Sequence, residues 1–253
     1  MGLFSKKKET DQFADFPSIG GVMASKMVTE QKKKVRFMYR EKPMRDEDSG
    51  WRIFSGNEDQ SYSDNPDNTG IYNPITILKI DPSIANLLLT PIGSVFEREN
   101  ENSIWYEVDD FEFEDDYPTT QKLTDKWSVE ISNLFLRRKE EDGDLVFVMK
   151  GKTVRLAIWS SKDQTRQQLY DEHKHSQETR NPDEAPTLET FDLSDINVSR
   201  IGYMIEESDN QKKYKVIYGF SMVDGEVVQA ALYFDKDTDK EWALETWRTI
   251  KFE

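Results

Sequence analysis

Apolar residues along this chain recur mostly with a period of two, the signature of strands with one buried face. Val35, Phe37 and Tyr39 alternate with Arg36, Met38 and Arg40. Trp51, Ile53 and Ser55 alternate with Arg52 and Phe54 in a short run bounded by Gly50 and Gly56. Val22 to Val28, opened by Gly20-Gly21, reads as a strand or a strand and turn, and Ile104 to Val108 as a strand. Later come Trp127, Val129 and Ile131, then Leu145 to Met149, Val154 to Trp159, Arg200 to Glu206, Tyr214 to Val223 and Val227 to Phe234. Asp224-Gly225 joins the last two as a hairpin, because both residues tolerate the left-handed backbone of a tight turn. Helical spacing is rarer. Tyr72 to Ile80 shows it, with Pro74 at a first helical position, and Ile84 to Leu89 reads as a second short helix. Lys162 to His175 is polar and helix-favouring, with Leu169 and Tyr170 as apolar anchors. Lys236 to Phe252 predicts a helix with Trp242, Leu244, Trp247 and Ile250 on its apolar side.

Strands with a few helices in each half predict an α+β protein of two small domains, each an antiparallel sheet backed by one or two helices. The expected divisions are a flexible N-terminus over 1–18, a first domain over 19–118 and a second over 119–253. Glu97 to Asp116 holds ten acidic residues and one basic residue, and Asp109 to Gln121 reads as a linker. Whether the acidic stretch is solvated linker or interface, with Trp105, Tyr106, Phe111 and Phe113 interleaved, stays open.

Charge sharpens this picture. The chain has 49 acidic and 34 basic side chains, a net charge of −15. Divided at residue 120, the halves carry −9 and −6, so the acidity is shared. Such a field repels nucleic acid and anionic membranes and favours basic partners, besides keeping the protein soluble. Cysteine is absent, which excludes disulfides, thiol catalysis and Cys-ligated zinc and fits a cytoplasmic protein. The start, MGLFSKKKETDQF, lacks a signal-peptide pattern, and Lys6 stands where a myristoylation motif needs Ser or Thr. The most apolar run, Ile84 to Leu89, is too short to span a bilayer.

Candidate chemistry centres on Asp48 to Gly70, DSGWRIFSGNEDQSYSDNPDNTG. Trp51 offers a large rigid contact and Arg52 a forked donor for carboxylate or phosphate. Their alternative role is structural, with Trp51 in a core and Arg52 paired with a nearby acid. Asp59, Asp64 and Asp67, with Asn57, Asn65 and Asn68, offer oxygens, but their spacing is not that of an EF-hand, and Asx turns explain the composition as well. His173 and His175 are the only histidines, and on a helix they point to different faces. No nucleophile elbow, acid/base pair or glycine-rich phosphate loop is present. The residues therefore predict no catalytic group, metal or cofactor, and a partner-binding set of Trp51, Arg52, Asp59, Asp64, Asp67 and Asn68.

Four ordered motifs carry a family likeness: Gly20 to Val28, Val35 to Arg40, Asp48 to Gly56, and Asp64 to Asn68 running through Gly70-Ile71-Tyr72. With Pro91 to Arg98, they resemble immunity family 33 of bacterial polymorphic toxin systems, formerly a domain of unknown function, over about residues 18 to 110. The second half is similar to a domain sometimes fused to it, through Phe135 to Arg138, Glu141 to Val146, Tyr218 to Phe220 and Trp247-Arg248. The resemblance implies a non-enzymatic cytoplasmic protein that neutralises a toxin by occluding it. An acidic face meeting a basic toxin domain would speed that association. A small-ligand or metal-binding regulatory module, with the Asp/Asn loop as its pocket, remains the alternative, and an enzyme of unknown class stands last. Nothing in the sequence assigns an oligomeric state.

Overall fold

The computed structural model describes residues 12–183, 185–208 and 212–253. Most of the N-terminal segment expected to be flexible, residues 1–11 with Lys6 to Lys8, lies outside the described residues. The chain divides into two units, one ending at Phe113 and the other beginning at Glu114. Both combine sheets with a few helices, so the α+β class holds.

The first unit contains β1 (Gly21–Ser25), α1 (Lys26–Thr29), β2 (Phe37–Arg40), β3 (Asp48–Phe54), α2 (Gln60–Ser63), β4 (Thr69–Tyr72), α3 (Pro74–Leu78), β5 (Val95–Glu97) and β6 (Tyr106–Glu107). The strands form one sheet in the order β4-β1-β3-β2-β5-β6. The sheet is mixed rather than wholly antiparallel: β3 inserts between β2 and β1, and so runs parallel to β1. The long route from β1 through α1 and β2 makes that insertion possible, and no local turn signal announces it.

Ala24, Ile53, Met38 and Phe96 stand opposite one another across four strands and are buried. They pack with Val22, Trp51 and the helical residues Val28, Ile77, Leu78, Ile84 and Leu88 into one core. The β2 alternation therefore points the other way from the simple reading. Met38 enters the core, whereas Phe37 and Tyr39 stand on the opposite face, with Phe54, Phe111 and Phe113. The Phe111 ring lies 5.1 Å from Tyr39 and 5.0 Å from Phe113. Both faces of β2 are covered by apolar matter, so alternation alone does not say which face is the core.

Gly50 sits within β3 at φ +83°, and a Cβ there would lie 2.1 Å from the Glu41 carbonyl oxygen. Only glycine fits this crossing. The expected helix at Ile84 to Leu89 is two 3-10 turns, Pro82–Ile84 and Leu87–Leu89. Asp81 caps the first and forms a buried ion pair with Arg98. Its Oδ2 also accepts from the Val35 amide at 3.1 Å, while Arg98 Nε donates to the Val35 carbonyl at 2.7 Å.

The second unit contains β7 (Pro118–Lys122), β8 (Trp127–Ser132), β9 (Leu136–Lys139), β10 (Leu145–Met149), β11 (Lys152–Ser160), α4 (Arg166–Glu178), β12 (Glu189–Asp192), β13 (Ser199–Ser208), β14 (Lys213–Val223), β15 (Glu226–Phe234), α5 (Lys240–Arg248) and β16 (Lys251–Phe252). An antiparallel sheet runs β12-β13-β14-β15-β11-β10-β9, and a smaller one runs β16-β8-β7. Residues 118–121, expected to be linker, form β7 with Lys122 and pair with β8. The final helix stops at Arg248, because Lys251 and Phe252 pair with Ser128 and Trp127. Trp247 of α5 is buried and donates from Nε1 to Ser221 Oγ at 3.0 Å. On the other face of β14, Leu169 of α4 packs with Met222 and Val227.

Candidate functional site

The two residues most suggestive in the sequence are inside the first unit. Trp51 is 0% exposed, and its Nε1 donates to the Leu88 carbonyl at 3.0 Å. Arg52 is 3% exposed. Its Nε donates to Glu41 Oε1 at 2.6 Å, and its two terminal nitrogens donate to Asp48 at 3.0 and 2.9 Å. Burial works against ionisation of Asp48, but Arg52 and the Gly50 and Met44 amides outweigh it and hold its pKa below the ordinary range. Neither Trp51 nor Arg52 presents a surface to a partner, so both leave the contact set. Their job is to fix β3 on its two faces, because successive side chains of a strand point in opposite directions.

The acidic loop that follows is outside. Asp59, Asp64 and Asp67 are exposed and Asn68 is half-buried. Most of its polar groups have a local task. Asp59 caps α2, its Oδ1 accepting from the Tyr62 amide and Ser61 hydroxyl, both at 2.8 Å. The Tyr62 amide bond is the first cause of its lowered pKa. Asp64 Oδ1 accepts from Gln60 Nε2 at 2.7 Å, Asn65 Oδ1 accepts from the Asp67 amide at 3.0 Å, and Asn68 Nδ2 donates to the Tyr62 carbonyl at 2.9 Å. At the loop's start, Glu58 Oε1 accepts from the Ser55 amide at 3.0 Å and hydroxyl at 2.9 Å. The Asx turns explain the composition, and they make the loop a shaped surface with its carboxylates facing water. Among the described residues, no group of three or more His, Asp or Glu side chains is placed to hold a metal ion.

This loop delivers the chain into β4, the end strand of the sheet. Ile71, in the middle of β4, is 71% exposed. Between Arg52 and Lys79 the sequence has four carboxylates and no basic residue. The edge position of β4 was not legible in the sequence, since it follows from the non-local insertion of β3. The lone aliphatic Ile71 closing a polar loop was its one local trace.

In the second unit, the His173 ring stacks on Phe220 at a centroid distance of 4.2 Å, and burial lowers its pKa. His175 is exposed, so the two histidines face different ways. Tyr218 Oη donates to Glu207 Oε1 at 2.8 Å, and burial followed by Tyr233 and Glu207 pushes its pKa up, keeping it a phenol.

Residues 22–109 match the family model of the immunity protein Imm33 domain. The matched stretch lies within the first unit and contains β2 to β6, all of β1 but Gly21, and the acidic loop. No curated protein matches the chain. A crystal structure from Bacteroides thetaiotaomicron VPI-5482 is similar at 14% identity and a TM-score of 0.35, covering 50% of this chain and 45% of that one. The chain thus spans less than half the length of that protein.

Proposed function

We propose that this chain is a non-enzymatic, cytoplasmic protein of the immunity type that neutralises a toxin by binding it. The observation that carries the reading is the match of residues 22–109 to an immunity domain. The partner is a basic toxin domain, which meets the exposed carboxylates of Asp59, Asp64 and Asp67, with Asn68 beside them. The overall charge of −15 favours such an encounter and disfavours nucleic acid and anionic membranes. Among the described residues no helix is long and apolar enough to cross a membrane.

Co-expression with toxins encoded beside the gene tests this reading. The wild-type chain is expected to restore growth against one of them and to bind it directly. A triple variant, Asp59→Asn, Asp64→Lys and Asp67→Lys, is expected to keep its melting temperature and to associate more slowly, with a weaker dependence on salt. Failure of the wild-type chain to bind or protect against any of them overturns the proposal.

A further inference from the structure

At one end of the sheet, where β1 begins and β4 ends, the first unit carries an open groove of about 450 Å³. Phe16, Pro17 and Ile19 line one part of it, and Ile71, Pro74 and Ile75 another. Gly20 and Gly21 also line it, and their lack of side chains keeps it open: a Cβ on Gly21 would lie 2.8 Å from Ile71 Cγ2, and one on Gly20 would lie 2.8 Å from the Glu47 carbonyl oxygen. Among the described residues, Glu47 is the only charged one in the lining. It is exposed, and among the described residues its carboxylate has no ion-pair partner.

Walls of this kind suit a long side chain with an apolar stem and a positive head. A lysine or arginine buries its methylenes along aliphatic surface while its charge seeks a carboxylate or water. The volume falls within the range of about 300–1,000 Å³ found for ligand sites. Ser18, Tyr72 and Asn73 add polar surface between the apolar side chains, so the lining is mixed, with Glu47 as its acidic residue. Ile71 stands on its rim at 71% exposure, in the strand that leaves the acidic loop.

We propose that this groove is the anchor pocket of the partner interface and takes an arginine or lysine side chain of a basic protein partner, its stem along Ile19, Ile71 and Pro74 and its charge on Glu47. The proposal rests on the immunity reading for the partner's nature, and on the groove alone for the chemistry of the anchor. Arginine is enriched among residues that dominate interfaces, and a charge-assisted bond in a partly enclosed pocket is stronger than one on open surface.

The test is an amide-detected NMR titration of the full chain with the probe acetyl-Gly-Val-Arg-Val-Gly-amide and its citrulline counterpart, neutral but of the same shape. The arginine peptide is expected to shift the Gly20, Gly21 and Ile71 amides and to bind about tenfold more tightly than the citrulline peptide. Glu47→Gln is expected to bring the arginine peptide to the citrulline level without moving the melting temperature. Equal affinity of the two peptides, indifference to Glu47→Gln, shifts confined to other residues, or no binding of the arginine peptide each overturns the inference. So does tighter binding of free arginine or spermidine than of the peptide, which makes this a small-molecule site. A dimer abolished by Glu47→Gln overturns it too, since a second copy is then the occupant. The peptide titration needs no toxin, so its failure leaves the immunity reading to be judged by co-expression. Failure of co-expression likewise leaves the measured chemistry of the groove in place.

Discussion

Asp81 and Asp59 are both carboxylates beside short helical turns, yet they do opposite kinds of work. Asp81 is buried, pairs with the equally buried Arg98 and accepts from Val35 and Ser83. Asp81→Asn leaves the Arg98 charge in a dry site, and removing one partner of a buried pair costs about 3–5 kcal/mol. Urea unfolding of the first unit is expected to show that loss. Asp59→Asn keeps an equally good cap, so its stability change is expected to stay within about 0.5 kcal/mol. A third carboxylate predicts acid behaviour. Burial disfavours ionised Asp195, but Arg200 and the Val198 and Asn197 amides outweigh it and hold its pKa down to about 2. A folded-state value below the ordinary value of about 4 contributes stability at neutral pH. That contribution is lost as pH falls from about 4 towards 2, and Asp195→Asn is expected to flatten the stability profile of the second unit over that window. At this scale the sequence was half legible. The alternation at Trp51 and Arg52 correctly put them on opposite faces, and a structural role for both was one of the two readings. What residue types could not show was that the second face of β3 is also closed, by Glu41 and Asp48 around Arg52.

Among the elements, those set by local chemistry were the readable ones. Thr165 opens α4 with a reciprocal capping box: its hydroxyl accepts from the Gln168 amide at 3.3 Å, and Gln168 Oε1 accepts from the Thr165 amide at 2.9 Å. Thr165→Ala is expected to cost about 1 kcal/mol of stability in the second unit. Hydrogen exchange would then rise first in Arg166 to Leu169, the turn that seats Leu169 on Met222 and Val227. The Asp224-Gly225 hairpin was legible in the sequence, although only Gly225 takes the left-handed backbone, at φ +75°, and the register of β14 on β15 follows from the two-residue turn. Non-local pairing hid the rest. Lys251 and Phe252 continue a helical pattern in sequence but leave it to complete the small sheet beside β8. Glu189 to Asp192 carries no apolar alternation, and it becomes a strand only because β13 offers it an edge.

Each unit of the molecule holds an aromatic-rich core of its own, around Trp51 and Phe96 in the first and around Trp127, Phe147 and Trp247 in the second. We propose that they are separate domains, each able to fold alone. The boundary is where the sequence pattern was least informative. Phe111 and Phe113 sit among carboxylates that suggest solvated linker, yet both rings pack on the Phe37 and Tyr39 face of the first sheet. Composition reports what a segment exposes and is silent about two rings that alternate inward from it. The two readings make different demands on a truncated first domain. A linker beginning at Asp109 would be dispensable, whereas docked rings contribute burial that residues 12–108 lack and residues 12–113 retain. Both rings are half-buried, so together they are expected to be worth about 1–3 kcal/mol. Urea midpoints of the two fragments decide the matter. The longer one is expected to unfold cooperatively at the higher concentration. Coincident midpoints would mean that Phe111 and Phe113 contribute nothing and that the acidic stretch is solvated linker after all. A cooperative transition in residues 114–253 alone is the matching expectation for the second domain, and its absence would show that the two units are not independent.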